Sequence, residues 1–229
     1  MLWDPLYLVF ALPAFLLAMI AQFKVQNAYQ RYLKVPNRRG ISGGEAASLL
    51  MRAAGVNVGL EQIPGTLSDH YDPRKKVLRL SKGVAAQPSV ASVAIVAHEI
   101  GHAQQDAEAY QLLRLRTGLV PLVNLTSWLG PALFLLGWLL QADALLTLGI
   151  WTFAGAIVFA LVTLPVEFNA SHRAMALLEQ SGVLVSDEEM RGAKSVLNAA
   201  ALTYVAALAQ ALSTFSYYLF RFGGGRRRS

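Results

Sequence analysis

The chain has 229 residues, of which 55% are hydrophobic and 15% are charged, and its mean hydropathy is +0.41. Soluble domains carry about 25% charged residues, so this composition excludes an ordinary soluble domain and indicates a small integral membrane protein. The absence of cysteine excludes disulfides and cysteine metal ligands. The net charge of +6 comes from clustered basic residues, which report membrane topology, and we expect no nucleic-acid partner.

Four segments without charged residues are each close to the roughly 20 residues needed to cross a bilayer. They predict transmembrane helices at residues 2–23, 118–141 and 144–165. The fourth segment, at residues 195–220, contains more polar residues, so it either spans the membrane or packs as a helix against protein. The first segment has no basic region before it and no small-residue cleavage site after it, so we expect a retained anchor.

Basic residues are concentrated directly after the first predicted span: Lys24, Arg31, Lys34, Arg38 and Arg39. By the positive-inside rule, residues 24–117 are expected on the cytoplasmic side. The hairpin of the second and third spans then returns residues 166–194 to that side. If the fourth segment also spans, the basic tail at residues 221–229 lies outside, against the same rule.

The motif His98-Glu99-Ile100-Gly101-His102 has the spacing of a zinc hydrolase. Residues four apart lie on one face of a helix, so His98 and His102 can bind one metal ion. Glu99, next to His98, is placed to act as the general base toward a metal-activated water. The alternative is that two ordinary helix histidines flank a glutamate.

A buried helix is predicted around this motif. The stretch from Ser89 to Gln105 is rich in alanine and apolar residues and follows a proline. Gly101 weakens such a helix by about 1 kcal/mol relative to alanine, which indicates that another element approaches closely at this point.

A hydrolytic zinc site needs a third protein ligand. Glu167 follows the third predicted span and returns to the side of the motif, but a glutamate at a membrane interface is the alternative. Asp106 and Glu108 lie on the motif's own helix, where geometry makes them poor third ligands. A solvated face is expected from the remaining acidic residues near this region: Glu179, Asp187, Glu188 and Glu189.

A small soluble region is predicted between the first span and the motif. Ser42-Gly43-Gly44-Glu45 is a capping-box pattern that begins a helix, and Gly55 can end it. Residues 67–71 and 77–80 alternate around Asp72-Pro73-Arg74-Lys75, which predicts a β-hairpin. The hairpin either holds an extended substrate by adding a strand or only covers the motif helix.

Four blocks of sequence carry a resemblance to a known family: TLSDHYDPRKKVLRLS, AHEIGHAQQ, LPVEFNASHRA and VLNAAALTYVAALAQAL. In this order they resemble the YugP-type neutral zinc metallopeptidases of prokaryotic membranes. The layout is more distantly similar to HtpX and the CAAX prenyl proteases, gluzincin-like enzymes. The resemblance implies one Zn²⁺ held by His98, His102 and Glu167, with Glu99 as the base.

One position departs from those relatives, which carry an acidic residue four positions after the glutamate ligand. Here that position is Ser171, so Ser171 or Asn169 is expected to give a weaker hydrogen bond to a zinc histidine. His172 is a candidate oxyanion donor, although a histidine on the helix surface is the simpler interpretation. His70 is expected to have no catalytic role, and its neighbours Asp69 and Asp72 to form turns.

Together these features predict a single mainly α membrane domain with three to four transmembrane helices and a small α+β, zincin-like cytoplasmic region. The predicted function is a zinc metalloendopeptidase at the cytoplasmic surface of a prokaryotic inner membrane, acting on peptide or protein substrates. The alternatives are an intramembrane protease of the site-2 class and a zinc-stabilised membrane scaffold without proteolytic activity.

Overall fold

A computed structural model describes residues 5–222. It is mainly helical, with one small sheet. In chain order the elements are α1 (Pro5–Leu33), α2 (Gly43–Ala54), β1 (Gly59–Ile63), β2 (His70–Asp72), β3 (Val77–Ser81), α3 (Lys82–Ala86), α4 (Val90–Ala107), α5 (Gln111–Leu139), α6 (Asp143–Ser181) and α7 (Asp187–Phe222). The predicted basic tail lies largely outside the described residues.

The chain divides into two compact units. Among the described residues, the helical unit comprises 5–21, 114–165 and 203–222. The mixed unit comprises Gln22–Leu113 and Val166–Leu202 and contains the sheet together with α2, α3 and α4.

Four of the described helices, α1, α5, α6 and α7, are long and apolar enough to cross a membrane. In each helix a stretch of 18 residues has a mean hydropathy between 1.5 and 2.2, and only 11% to 22% of that stretch is buried. The three predicted spans are therefore matched by apolar helices, and the more polar fourth segment also lies in such a helix. Exposed apolar surface of this extent fits a lipid environment.

The helices extend beyond the charge-free segments that predicted them. The third predicted span and the segment around Glu167 form one continuous helix, α6, of 39 residues, with Pro165 in its interior. Proline removes only one backbone donor, and membrane helices tolerate it. Helix α7 begins at Asp187, eight residues before the predicted start, because a capping box formed by Ser186 and Glu189 starts it.

Polar residues of the fourth segment find partners inside the helical unit. The Ser213 hydroxyl donates a hydrogen bond of 2.6 Å to the Phe10 carbonyl oxygen of α1. Close to it, the rings of Tyr7 and Tyr217 meet edge to face with their centroids 5.1 Å apart. Such contacts between helices account for part of the polarity that made residues 195–220 differ from the other spans.

The capping patterns of the mixed unit are formed as predicted for α2. Ser42 and Glu45 make both hydrogen bonds of a capping box, and Gly55 ends the helix in the left-handed conformation with φ 66°. A second capping box starts α7, where Glu189 accepts from the Ser186 backbone at 2.9 Å. Glu189 also accepts a 2.7 Å bond from the Arg38 backbone and is 5% exposed, so its assignment to a solvated face is wrong.

The predicted hairpin is present and belongs to a three-stranded sheet of order β1-β3-β2. Strands β2 and β3 pair antiparallel, with Tyr71 opposite Leu78, and Asp72 accepts from the Arg74 backbone in the turn. Strand β1 pairs parallel with β3 and was not predicted. Its sequence, Gly-Leu-Glu-Gln-Ile, lacks the alternation of apolar and polar residues that marks a half-buried strand. Four of its five residues are exposed.

Helix α4 is the centre of the mixed unit. Its N-cap is Ser89, whose side chain accepts a hydrogen bond from the Ser92 backbone N–H. The apolar residues of α4 with no exposed surface are Val90, Ala91, Val93, Ala94, Val96, Ala97 and Ile100. Because α4 is covered on nearly all sides, the polar side chains that it carries must find partners within the protein.

The predicted close approach at Gly101 is observed. A Cβ atom at this position would lie 2.6 Å from the Ala170 carbonyl oxygen of α6. The contacting atom belongs to helix backbone, which cannot turn away as a flexible side chain does. Gly101 therefore permits α4 and the final turns of α6 to pack backbone against backbone.

We expect Gly101→Ala to lower the free energy of unfolding by about 1 to 3 kcal/mol, because the added methyl group overpacks this contact. Gly118→Ala is the matched control, since no described atom lies within 4 Å of its added Cβ, and should leave stability equal or slightly higher. Thermal unfolding in detergent measures both. A Gly101→Ala protein as stable as the control would contradict this packing.

Candidate metal centre

Two histidines of α4 and one glutamate of α6 converge on one point. The Nε2 atom of His98 lies 3.1 Å from Glu167 Oε2, and Nε2 of His102 lies 3.5 Å from the same oxygen. The three ligand atoms all lie within 4.8 Å of one another, so this group could hold a metal ion. The spacing of four along α4 places both imidazoles on one helix face.

These distances fit zinc. Zinc binds imidazole nitrogen at about 2.0 to 2.1 Å and carboxylate oxygen at about 2.0 to 2.2 Å, so tetrahedral ligand atoms lie roughly 3.3 Å from one another. The separations from Glu167 Oε2 to the two histidines are close to this value. Nitrogen and oxygen donors without sulfur are also the ligand set of many hydrolytic zinc sites.

The Glu167 carboxylate is only 2% exposed. A buried carboxylate needs compensating partners, because removing its charge from water costs several kcal/mol. The two imidazole nitrogens lie 3.1 and 3.5 Å from it, where they and a shared metal ion would supply that compensation. Glu167 thus has the environment expected of a ligand rather than of a glutamate at a membrane interface.

Each histidine presents its other ring nitrogen to a neutral side chain. Nδ1 of His98 lies 3.2 Å from the hydroxyl oxygen of Ser171. This is the position at which the relatives carry an acid, and the weaker partner predicted there is observed. Nδ1 of His102 lies 2.9 Å from Oε1 of Gln105. Gln105 was not predicted, although its place three residues after His102 puts it on the same helix face.

Glu99 lies beside the cluster and is 8% exposed. Burial raises the pKa of Glu99 to about 7, His98 opposes the rise and Glu167 adds to it. One oxygen of Glu99 accepts a 2.9 Å hydrogen bond from the backbone N–H of Tyr71 in β2. A carboxyl group with a pKa near neutrality can both take and return a proton.

Tyr71 connects strand β2 to α4 at two points. Besides its backbone bond to Glu99, its hydroxyl donates a 2.8 Å bond to Oδ2 of Asp106. Glu99 and Asp106 are two helical turns apart, so Tyr71 lies along one face of α4. This arrangement shows that the hairpin covers the helix, while its role in holding a substrate stays a prediction.

Other residues considered from sequence lie apart from the cluster. His172 is exposed on α6, and within residues 5–222 no hydrogen bond or ion pair joins it to His98, His102 or Glu167. His70 is exposed, and its Nδ1 donates a 2.8 Å hydrogen bond to the Ser68 carbonyl oxygen. Asp69 is not a local turn former, since it accepts a 2.6 Å bond from the Ser81 backbone of β3.

Comparison with known proteins agrees with this geometry. Residues 7–223 match the family described as "Putative neutral zinc metallopeptidase". The chain is 41% identical over 222 residues to "Putative membrane protease YugP" of Bacillus subtilis (strain 168). The aligned region covers 96% of this chain and 98% of that protein. No solved structure matches the chain. The resemblance drawn from the four sequence blocks is thereby confirmed.

We expect Tyr71→Phe to lower the free energy of unfolding by about 1 to 2 kcal/mol, because it leaves the Asp106 carboxylate without its hydroxyl donor. Tyr32→Phe is the control, since the ring that meets the Arg31 guanidinium is kept, and should change stability by less than about 0.5 kcal/mol. Thermal unfolding in detergent compares them. Equal unfolding temperatures for the two variants would contradict a stabilising hydrogen bond between the Tyr71 hydroxyl and Asp106.

Proposed function

Because the chain belongs to the family of neutral zinc metallopeptidases that its residues 7–223 match, we propose that it is a membrane-bound zinc metalloendopeptidase. The observation that carries the proposal is the convergence of His98, His102 and Glu167, with the Glu99 carboxyl group beside them. A structural site has no need of such a base, whereas a hydrolytic site does.

The chemistry divides between the metal and the protein. A zinc ion bound by the three ligands would lower the pKa of water and polarise the scissile carbonyl of a peptide. Glu99 accepts the proton that water loses and later donates it to the leaving amine. The Tyr71 N–H, at 2.9 Å, orients the Glu99 carboxylate for both transfers.

We infer that the site faces the cytoplasm of a prokaryotic cell. The support is the cluster of basic residues that follows the first apolar segment, beginning at Lys24. The hairpin formed by α5 and α6 crosses twice and so leaves Glu167 on the side from which the chain departed. Peptide or protein substrates, including membrane proteins, are the proposed partners, and an oxyanion role for His172 stays a prediction.

We expect Glu99→Gln to keep zinc and to lose at least about 100-fold in cleavage rate, because the amide cannot take a proton. The measurement is zinc content together with casein cleavage in detergent micelles. Glu179→Gln makes the same chemical change at an exposed position of α6 and should cleave like the wild type. A Glu99→Gln enzyme as fast as wild type would contradict the assignment, and a zinc-loaded wild type with no cleavage would favour the scaffold alternative.

Removing the metal should lower thermal stability. A ligand at 100 times its dissociation constant adds about 2.7 kcal/mol to the folded state, so chelator-treated protein should unfold at a lower temperature and regain stability with added zinc. Glu167→Gln should abolish most of this zinc-dependent shift. If Glu167→Gln shows the full shift, Glu167 is not a ligand.

A further inference from the structure

We propose that Gln105 is a positioning residue that holds the Nδ1 atom of His102 as a hydrogen donor and so reserves Nε2 for the metal. This inference rests on the proposed function, since it concerns the same zinc site. Oε1 of Gln105 lies 2.9 Å from His102 Nδ1. Gln105 has no exposed surface, so water does not compete for this contact.

The orientation of the Gln105 amide follows from its other neighbours. Its nitrogen, Nε2, lies 2.8 Å from the Val166 carbonyl oxygen. A backbone carbonyl can only accept, so the amide atom facing it must be the NH₂ group. The oxygen is then the atom that faces His102, and a contact at 2.9 Å to an acceptor requires a hydrogen on Nδ1.

A second set of contacts fixes the same orientation independently. Nε2 of Gln105 also lies 2.9 Å from Oδ1 of Asn169, and that oxygen accepts a 2.8 Å bond from Nε of Arg173. Because a guanidinium has only donors, the Asn169 atom that it meets must be the oxygen. An oxygen there again requires the NH₂ group of Gln105 to face it.

The Arg173 side chain, which fixes the Asn169 amide, is itself held by Glu108. Both terminal nitrogens of Arg173 donate to the Glu108 carboxylate at 2.7 Å, which is the bidentate geometry that holds a guanidinium in one plane. The chain of contacts thus runs from Glu108 through Arg173, Asn169 and Gln105 to His102, and each step admits one direction of hydrogen donation.

The consequence is a histidine held by a neutral acceptor. In the neutral ring, a hydrogen on Nδ1 leaves the lone pair on Nε2, which is the atom 3.5 Å from Glu167. Ligand orientation by such outer partners typically changes metal affinity by about 10 to 100-fold. Gln105 thereby supplies for His102 the orientation that a carboxylate would supply elsewhere.

The test is the zinc affinity of the full-length protein in detergent, measured by competition with a chelator. We expect Gln105→Leu to weaken zinc binding by about 10 to 100-fold. Gln104→Leu makes the same change one residue earlier on α4 and should stay within about twofold of the wild type. Asn169→Leu removes one of the two acceptors that orient Gln105 and should give a smaller loss of the same sign.

A spectroscopic readout separates positioning from a general loss of stability. In the zinc-loaded wild type, the His102 Nδ1 hydrogen should give a slowly exchanging nuclear magnetic resonance signal, and its exchange should speed up in Gln105→Leu but not in Gln104→Leu. Unchanged zinc affinity and unchanged exchange in Gln105→Leu would overturn the inference and leave the proposed function intact. A wild type that binds no zinc would overturn both.

Discussion

The Glu167 carboxylate is buried to 2% exposure between two imidazoles, and the arrangement of the mixed unit depends on this interaction. A charge in that position is stable only if α4 and the final turns of α6 lie close enough for both histidines to reach it. Gly101 provides that closeness, because any side chain there would meet the Ala170 carbonyl oxygen. Gly101 has a low helix propensity, but the packing of α4 against α6 beside the site requires a glycine at this position.

Around this centre, polar side chains each meet a partner of defined direction. Ser171 and Gln105 hold the outer nitrogens of the two histidines, and the Tyr71 backbone holds Glu99. The first two partners are neutral, so Glu167 is the carboxylate that contacts both histidines. One carboxylate and two imidazoles form a ligand set that suits a zinc ion.

Much of this site could be predicted because local rules and spacing govern it. The four-residue interval of His98 and His102, the Ser42–Glu45 capping box and the helix end at Gly55 all follow from helix geometry within one segment. Glu167 required more, since sequence alone left it open and the family resemblance selected it. Its proximity to the histidines across 65 to 69 residues of chain is a tertiary fact.

The features that escaped prediction depend on tertiary contacts. Strand β1 is mostly exposed, and its sequence does not alternate apolar and polar residues. It is a strand because it pairs with the edge of β3, which is a tertiary contact. Gln105 differs from its neighbour Gln104 in its spacing of three from His102, but its contact with α6 follows only from the tertiary structure. The sequence places Glu189 on a charged face with its acidic neighbours. In the structure the backbone at Arg38 covers it and donates a hydrogen bond to its carboxylate.

The proposed site holds one zinc ion with two imidazoles and one carboxylate. X-ray absorption at the zinc edge of purified protein in detergent tests this most directly, together with the same spectrum for His102→Ala. We expect nitrogen and oxygen scatterers at about 2.0 to 2.2 Å, with two imidazole patterns in the wild type and one in the variant. A wild-type spectrum with no imidazole pattern, or one that His102→Ala leaves unchanged, would contradict it.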